Sequence, residues 1–184
     1  MCKDAGHTIH RHQHHLGWDN SNEPVLRIAP GETIEFEIFD ASGGQLSSNS
    51  TVADVVSLDF GKVNPVTGPV HIDGADPGDS LKVTLESFKP SGWGWTANIP
   101  GFGLLADDFQ EPALINWSYD PDSLAPALWS DKARIPLKPF TGTIGVAPAE
   151  AGLHSIVPPR RVGGNMDVRD LSAGTELYLP IEVA

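Results

Sequence analysis

Cysteine is almost absent from this chain. Cys2 is the only one in 184 residues, so no internal disulfide can form and a reducing compartment suits the protein. Basic residues are scarce too: 12 Lys and Arg stand against 24 Asp and Glu. The resulting formal charge of −12 argues against nucleic acid or an anionic membrane surface as a partner. No apolar run approaches membrane-spanning length, and the N-terminus MCKDAGHTIH lacks an apolar signal core. A soluble, cytoplasmic protein is therefore expected. A Gly-x-Ser-x-Gly elbow, a paired-cysteine metal motif and a phosphate loop are also missing, so no signature nucleophile or nucleotide site announces itself.

Punctuation, by contrast, is plentiful. The 19 Gly and 16 Pro are spread along the chain, which suits many short strands joined by tight turns rather than long helices. At 40% apolar residues with five tryptophans, the composition is that of a folded protein, and the length fits a single domain over residues 1–184. Period-two alternation is clearest in TIEFEIF, SLKVTLE and ELYLPIEV. It places Ile34, Phe36 and Ile38, then Leu81, Val83 and Leu85, then Leu177, Leu179, Ile181 and Val183, each on one strand face. All three strands share an entry, APGETIEF, DPGDSLKV and SAGTELYL, in which a turn with glycine at its third position precedes the strand. Such repeated units predict a mainly β fold: an antiparallel, sandwich-like architecture with long packed loops. One or two short helices are expected, in STVADVVSLDF with Ser50 as N-cap and in DSLAPALWSD.

Chemistry concentrates in a few places. Five of the seven histidines lie between His7 and His15. If residues 8–16 are extended, His10, His12 and His14 point one way and His15 the other. A His-x-His pair on one face is a metal chelate, yet terminal histidine tracts are also ordinary polar lead-ins. In GWDNS, Asp19 and Asn20 fit either a cation or an Asx turn. FDASGGQ sets Asp40, Ser42 and Gln45 after a strand, with two glycines allowing a close backbone approach. GWGWTANIPGFG suits either a small-ligand pocket or an aromatic cluster. In PPRRVGGNMDVRDL, Asn165 and Asp167 can face one site, and Arg160 and Arg161 can pair locally with Asp167 or Asp170.

Taken together, these stretches resemble the acetamidase/formamidase family. The matching runs are, in order, HLGWDNS, FDASGGQ, NPVTGPVHIDGADPGDSL, GWGWT with PGFGLL, IPLKPFTGTIGVAP, PPRRVGGNMDVRDL and ELYLPIEV. The resemblance implies hydrolysis of short aliphatic amides, formamide and acetamide, to ammonia and a carboxylate. Carried over by motif, it selects His15, Gly17, Trp18 and Asp19, then Asp40, Ser42 and Gln45, then Gly163, Gly164, Asn165 and Asp167. On this basis His15, Asp19 and Asn165 are expected as metal ligands and Asp40 and Asp167 as catalytic carboxylates. Trp18, Gln45 and Trp93 are expected to hold the amide. The expected cofactor is a divalent metal, zinc with calcium as the alternative, which would activate water. Family members continue past the final strand into a segment with Gly-Asp, a His and Gly-Asp-Gly-Glu, whereas this sequence stops at IEVA. The resemblance thus implies an incomplete active site, with a separate chain carrying that segment as one possible partner, and self-association into a homo-oligomer. A non-catalytic β-sandwich binding or assembly module is the alternative reading. A cupin-like metal enzyme ranks last, because the nearest glutamate after His10-x-His12 is the distant Glu23.

Overall fold

The computed structural model describes residues 5–184, and Cys2 lies outside them. The strands are short. The first four are β1 (His7–Ile9), β2 (His14–His15), β3 (Leu26–Ile28) and β4 (Ile34–Phe36). After a one-turn helix α1 (Val52–Val56) come β5 (Val66–Thr67), β6 (Val70–Ile72), β7 (Ser80–Thr84), β8 (Trp93–Asn98) and β9 (Ala113–Ser118). The chain continues through β10 (Ala127–Trp129), β11 (Ala133–Ile135), β12 (Thr143–Gly145) and β13 (Gly163–Asn165) to β14 (Glu176–Pro180). They pair as two-stranded ladders. β2 with β5, β7 with β14, β8 with β9, β10 with β11 and β12 with β13 are antiparallel; β1 with β4 and β3 with β6 are parallel. The protein is mainly β with little helix, and its sheets are not closed. Among the described residues no helix is long and apolar enough to cross a membrane.

The shared turn recurs in the structure with one geometry. Glu32 N donates to Ala29 O, Asp79 N to Asp76 O and Thr175 N to Ser172 O, each across a glycine at positive φ: Gly31 (91°), Gly78 (101°) and Gly174 (87°). That conformation at the third turn position is the one glycine adopts without steric cost. Two of the three strands that follow pair with each other. Leu177 faces Val83 and Leu179 faces Leu81, so the apolar sides of β7 and β14 coincide, and Leu179 is buried. The third departs from expectation: Phe36 and Ile38 are exposed. Among the described residues β4 pairs with β1 alone, and Phe36 and Ile38 stay open to solvent.

The helix starts one residue later than its sequence suggests. Thr51 is the N-cap, and the Asp54 carboxylate accepts hydrogen bonds from Thr51 N (2.6 Å) and Oγ1 (3.0 Å), while the Ser50 hydroxyl accepts from Ser47 N instead. In DSLAPALWSD no helix forms. Pro126 disfavours helical backbone at Ala125 and has no N–H to give, and the chain enters β10. Nor is the histidine tract one strand. A turn closed by Gln13 N on His10 O (2.8 Å) separates β1 from β2, so alternation does not run through it.

Candidate functional site

β2, anchored on β5, carries His15 half-buried at the start of a turn. Its Nδ1 lies 2.7 Å from the Gly17 carbonyl oxygen. A carbonyl can only accept, so Nδ1 carries the proton and Nε2 keeps its lone pair. Burial lowers the pKa of His15, the Gly17 bond opposing and the neighbouring His14 adding to the effect. The imidazole is thereby held neutral, with one nitrogen available as base or ligand. The other tract histidines are engaged differently. His10 Nδ1 meets Glu37 Oε2 at 3.0 Å and its ring stacks on exposed His12, while His14 Nδ1 binds Arg11 O and its ring meets Phe39 edge-on.

The His15 ring lies edge-on to the Trp18 indole, their centroids 6.0 Å apart. Trp18 is buried, and its backbone exchanges two hydrogen bonds of 2.9 Å with His154. Its ring rests on the β12–β13 ladder, where glycine is a requirement of space. A Cβ on Gly145 would come within 3.1 Å of the indole and 3.0 Å of Gly164 N. Gly163, at φ 95°, leaves no room for a side chain against the Ile144 carbonyl. Gly-Gly in the second strand and Gly145 in the first thus form a flat floor under Trp18. Asn165, at the end of this ladder, accepts from Thr143 Oγ1 (3.0 Å) and donates to Val157 O (3.4 Å). Asp167, at φ 51°, is exposed, with Oδ1 over Gly142. Asp19 makes the Asx turn: its Oδ1 accepts from Ser21 N (2.9 Å) and Oγ (2.7 Å), bonds that lower its pKa. Asn20 ties this loop to Pro148 O and Ala149 O.

A second polar centre forms around Asp40. Its Oδ2 accepts from Ser42 N (3.0 Å) and from Trp95 Nε1 (2.7 Å), and its Oδ1 from Gly44 N (3.0 Å). Gly43 must be glycine because a Cβ would strike the Lys62 carbonyl oxygen. Buried Ser42 accepts from Leu46 N, and the Gln45 amide is engaged with Ser42 O, Asp59 O and Asp59 N. Alternation puts Trp93 and Trp95 on one face of β8; Trp93 Nε1 and Trp18 Nε1 are buried without a hydrogen-bond partner among the described residues.

The structure therefore brings His15, Trp18 and the Gly163–Asn165 strand into one neighbourhood. Asp40 and Gln45 form another, joined to the first through β2–β5 and the His14–Phe39 contact. Arg160 and Arg161 do not pair with Asp167 or Asp170: Arg160 donates to Ser155 O and Pro158 O, and Arg161 to Glu182. Two residues important to this geometry escape a reading of the sequence, Trp95 and His154. The first was legible in principle, as the period-two neighbour of Trp93; the second has no local signal. Two surface depressions, of about 380 and 320 Å³, lie elsewhere, one between Asp79, Arg161 and Glu182 and one around Tyr119 and Leu137.

A model of the Acetamidase/Formamidase family matches residues 3–156. The chain belongs to the acetamidase/formamidase family. A formamidase of Methylophilus methylotrophus is 24% identical over 223 residues, covering 93% of this chain and 55% of that protein. An acetamidase of Mycolicibacterium smegmatis is 25% identical, covering 92% and 56%. The crystal structure of an acetamidase from Bacillus halodurans superimposes with a TM-score of 0.86 at 30% identity, over 96% of this chain and 58% of that one. The chain thus spans just over half the length of these family members. An alignment of 223 positions also exceeds its 184 residues, so the formamidase carries insertions inside the matched span.

The family resemblance implies a divalent metal, and the residues present do not complete a site for one. A catalytic zinc takes three protein ligands. His15 Nε2 is one well-oriented nitrogen, but among the described residues no three His, Cys, Asp or Glu side chains gather as a metal site. Asp19 is turned to Ser21, and the Asn165 amide to Thr143 and Val157.

Proposed function

We propose that this chain is part of an amidase that hydrolyses short linear amides, formamide and acetamide, to ammonia and a carboxylate, with its site completed by polypeptide outside these residues. The observation that carries this reading is the convergence of family motifs on one place. HLGWDNS supplies a neutral half-buried imidazole and the indole beside it, and PPRRVGGNMDVRDL supplies the floor beneath.

Amide hydrolysis needs an activated water, stabilisation of the developing oxyanion, and a proton for the leaving nitrogen. His15 Nε2 is the group suited to hold a proton or to ligate, because the Gly17 carbonyl sets its tautomer. The indole N–H groups of Trp18 and Trp93, which lack partners among the described residues, are donors suited to an amide carbonyl once local rearrangement opens them. Asp40 already accepts three hydrogen bonds, so its role is to position Trp95 and the loop rather than to take a proton. Asp167 is the exposed carboxylate left for acid–base work, and Gln45, held by backbone partners, braces the Asp40 loop. If the completed enzyme holds a divalent metal, zinc or calcium, His15 Nε2 is the ligand these residues would contribute and the other ligands would come from outside them; such an ion would supply Lewis-acid activation of water.

The test is ammonia release from formamide and acetamide, measured for this chain alone and with the part of the Bacillus halodurans acetamidase that it does not match. Activity in neither preparation would favour the second reading, a non-catalytic assembly module. That reading draws on the internal engagement of Asp40 and Gln45.

A further inference from the structure

One acidic residue fastens the turn that delivers His15. Glu37 directly follows β4, and its backbone closes two joints. Its N–H donates to Ile9 O (2.9 Å), and its carbonyl accepts from Thr67 Oγ1 (2.9 Å), so it stands where β1 and β5 meet. The carboxylate makes a third joint, with Oε2 3.0 Å from His10 Nδ1. That bond is the largest cause of a lowered Glu37 pKa; desolvation opposes it, and the charges of His10 and Arg11 and the Arg11 amide add to it. An ionised carboxylate only accepts, so His10 Nδ1 is the donor.

His10 in turn opens the bend between β1 and β2. Gln13 N donates to His10 O (2.8 Å), and His10 N donates to Gln13 Oε1 (3.1 Å). Gln13 O then accepts from Gly68 N (2.9 Å), just past β5. Two residues after Gln13 comes His15, opposite Val66 in the β2–β5 ladder. Holding His10 therefore holds the bend, and the bend sets where β2 presents its imidazole. Stability is not the main effect. The His10 and Glu37 side chains are 55% and 49% exposed, and exposed pairs of this kind contribute little to it. What the pair supplies is a fixed position.

We propose that Glu37 is a positioning residue for His15: its carboxylate holds His10, and through the His10–Gln13 bend it keeps His15 seated on β2. This rests on the reading of His15 as the working imidazole. The test reads the ring itself rather than ammonia release, so the two can fail separately.

The other end of β1 supplies the control, because His7 Nε2 lies 3.5 Å from Glu32 Oε1 on the same ladder but away from the bend. Nitrogen NMR of the whole chain at about pH 8, where histidine is neutral, reports the His15 tautomer, and exchange of the Gly68 amide reports the bend. We expect Glu37→Ala to lower the share of Nδ1-protonated His15 at least about twofold and to speed Gly68 exchange at least about fivefold. Glu37→Gln should keep both near native, since its amide oxygen still accepts from His10 Nδ1. His10→Phe, which removes the donor but keeps a ring to stack on His12, should reproduce Glu37→Ala and decides the matter if that variant fails to fold. His7→Ala should leave both signals native. A native His15 tautomer with native Gly68 exchange in Glu37→Ala and His10→Phe overturns the proposal. So does an equal effect of His7→Ala, which would trace the change to β1 as a whole, or a Glu37→Gln chain that behaves like Glu37→Ala.

Discussion

His15 Nδ1 lies 2.7 Å from the carbonyl oxygen of Gly17, and this one bond decides which ring nitrogen the histidine presents. His12, three positions earlier, is exposed and stacks on the His10 ring. His15→Ala should therefore lower ammonia release by the completed enzyme by about 100-fold or more. His12→Ala should leave it unchanged. Parallel rates for the two variants would show that the tract acts as a unit.

The same burial that tunes His15 makes folding sensitive to acid. Its folded pKa is lowered below 6.5, so the unfolded chain binds the proton first. The stability associated with neutral His15 is present above pH 6.5 and is lost as pH falls through the lowered folded value. Thermal midpoints should drop more steeply between pH 7 and 5 in the native chain than in His15→Gln. Identical pH profiles would contradict this assignment.

Glycine under Trp18 is a matter of space. Gly145→Ala would press a methyl group into the indole and into Gly164 N, and Gly164→Ala would add a side chain at φ 129° beside Pro159. Each should destabilise by about 1–3 kcal/mol, as overpacking does. Gly152→Ala, with open space around it but a positive φ, should cost less. Denaturant midpoints of the three variants give the ordering directly.

Asp40→Ala would leave the Trp95 indole N–H and the Ser42 and Gly44 amides without their acceptor. We expect a loss of about 1.5–3 kcal/mol, typical of hydrogen bonds to a charged group. Near-ultraviolet dichroism should change as Trp95 loosens. Asp40→Asn, which keeps one carbonyl acceptor, should recover part of both.

Metal dependence is checked by elemental analysis of the completed enzyme with and without a chelator. The proposed mechanism expects a stoichiometric divalent ion whose removal abolishes ammonia release. Full activity in metal-free protein would remove the ion from the mechanism and leave His15 as a proton acceptor.

Local chemistry was legible in the sequence wherever it depended on neighbours along the chain. The three glycine turns and the alternation of β7 and β14 appear as the residues suggest, and at Asp19 the structure shows the Asx turn, one of the two readings its residues offered, because each closes within four residues or follows the strand period. The histidine tract misled, because extended parity holds only while the backbone stays extended, and Gln13 turns it. Phe36 and Ile38 misled for another reason: alternation states which face is apolar, not whether anything lies against it. The Arg160 and Arg161 partners were chosen by proximity in sequence, whereas nearby carbonyls and Glu182 are closer in space.

By itself, then, the sequence determined the β-rich class, the turns and the family, since these rest on composition, short-range hydrogen bonds and ordered motifs. Only the tertiary structure decided that Trp95 is the partner of Asp40, that Trp18 lies on a glycine floor with His154 beside it, and that no metal-ligand triad gathers among the described residues. Those are contacts between segments many residues apart, and their geometry comes from how the ladders pack, which no local pattern encodes.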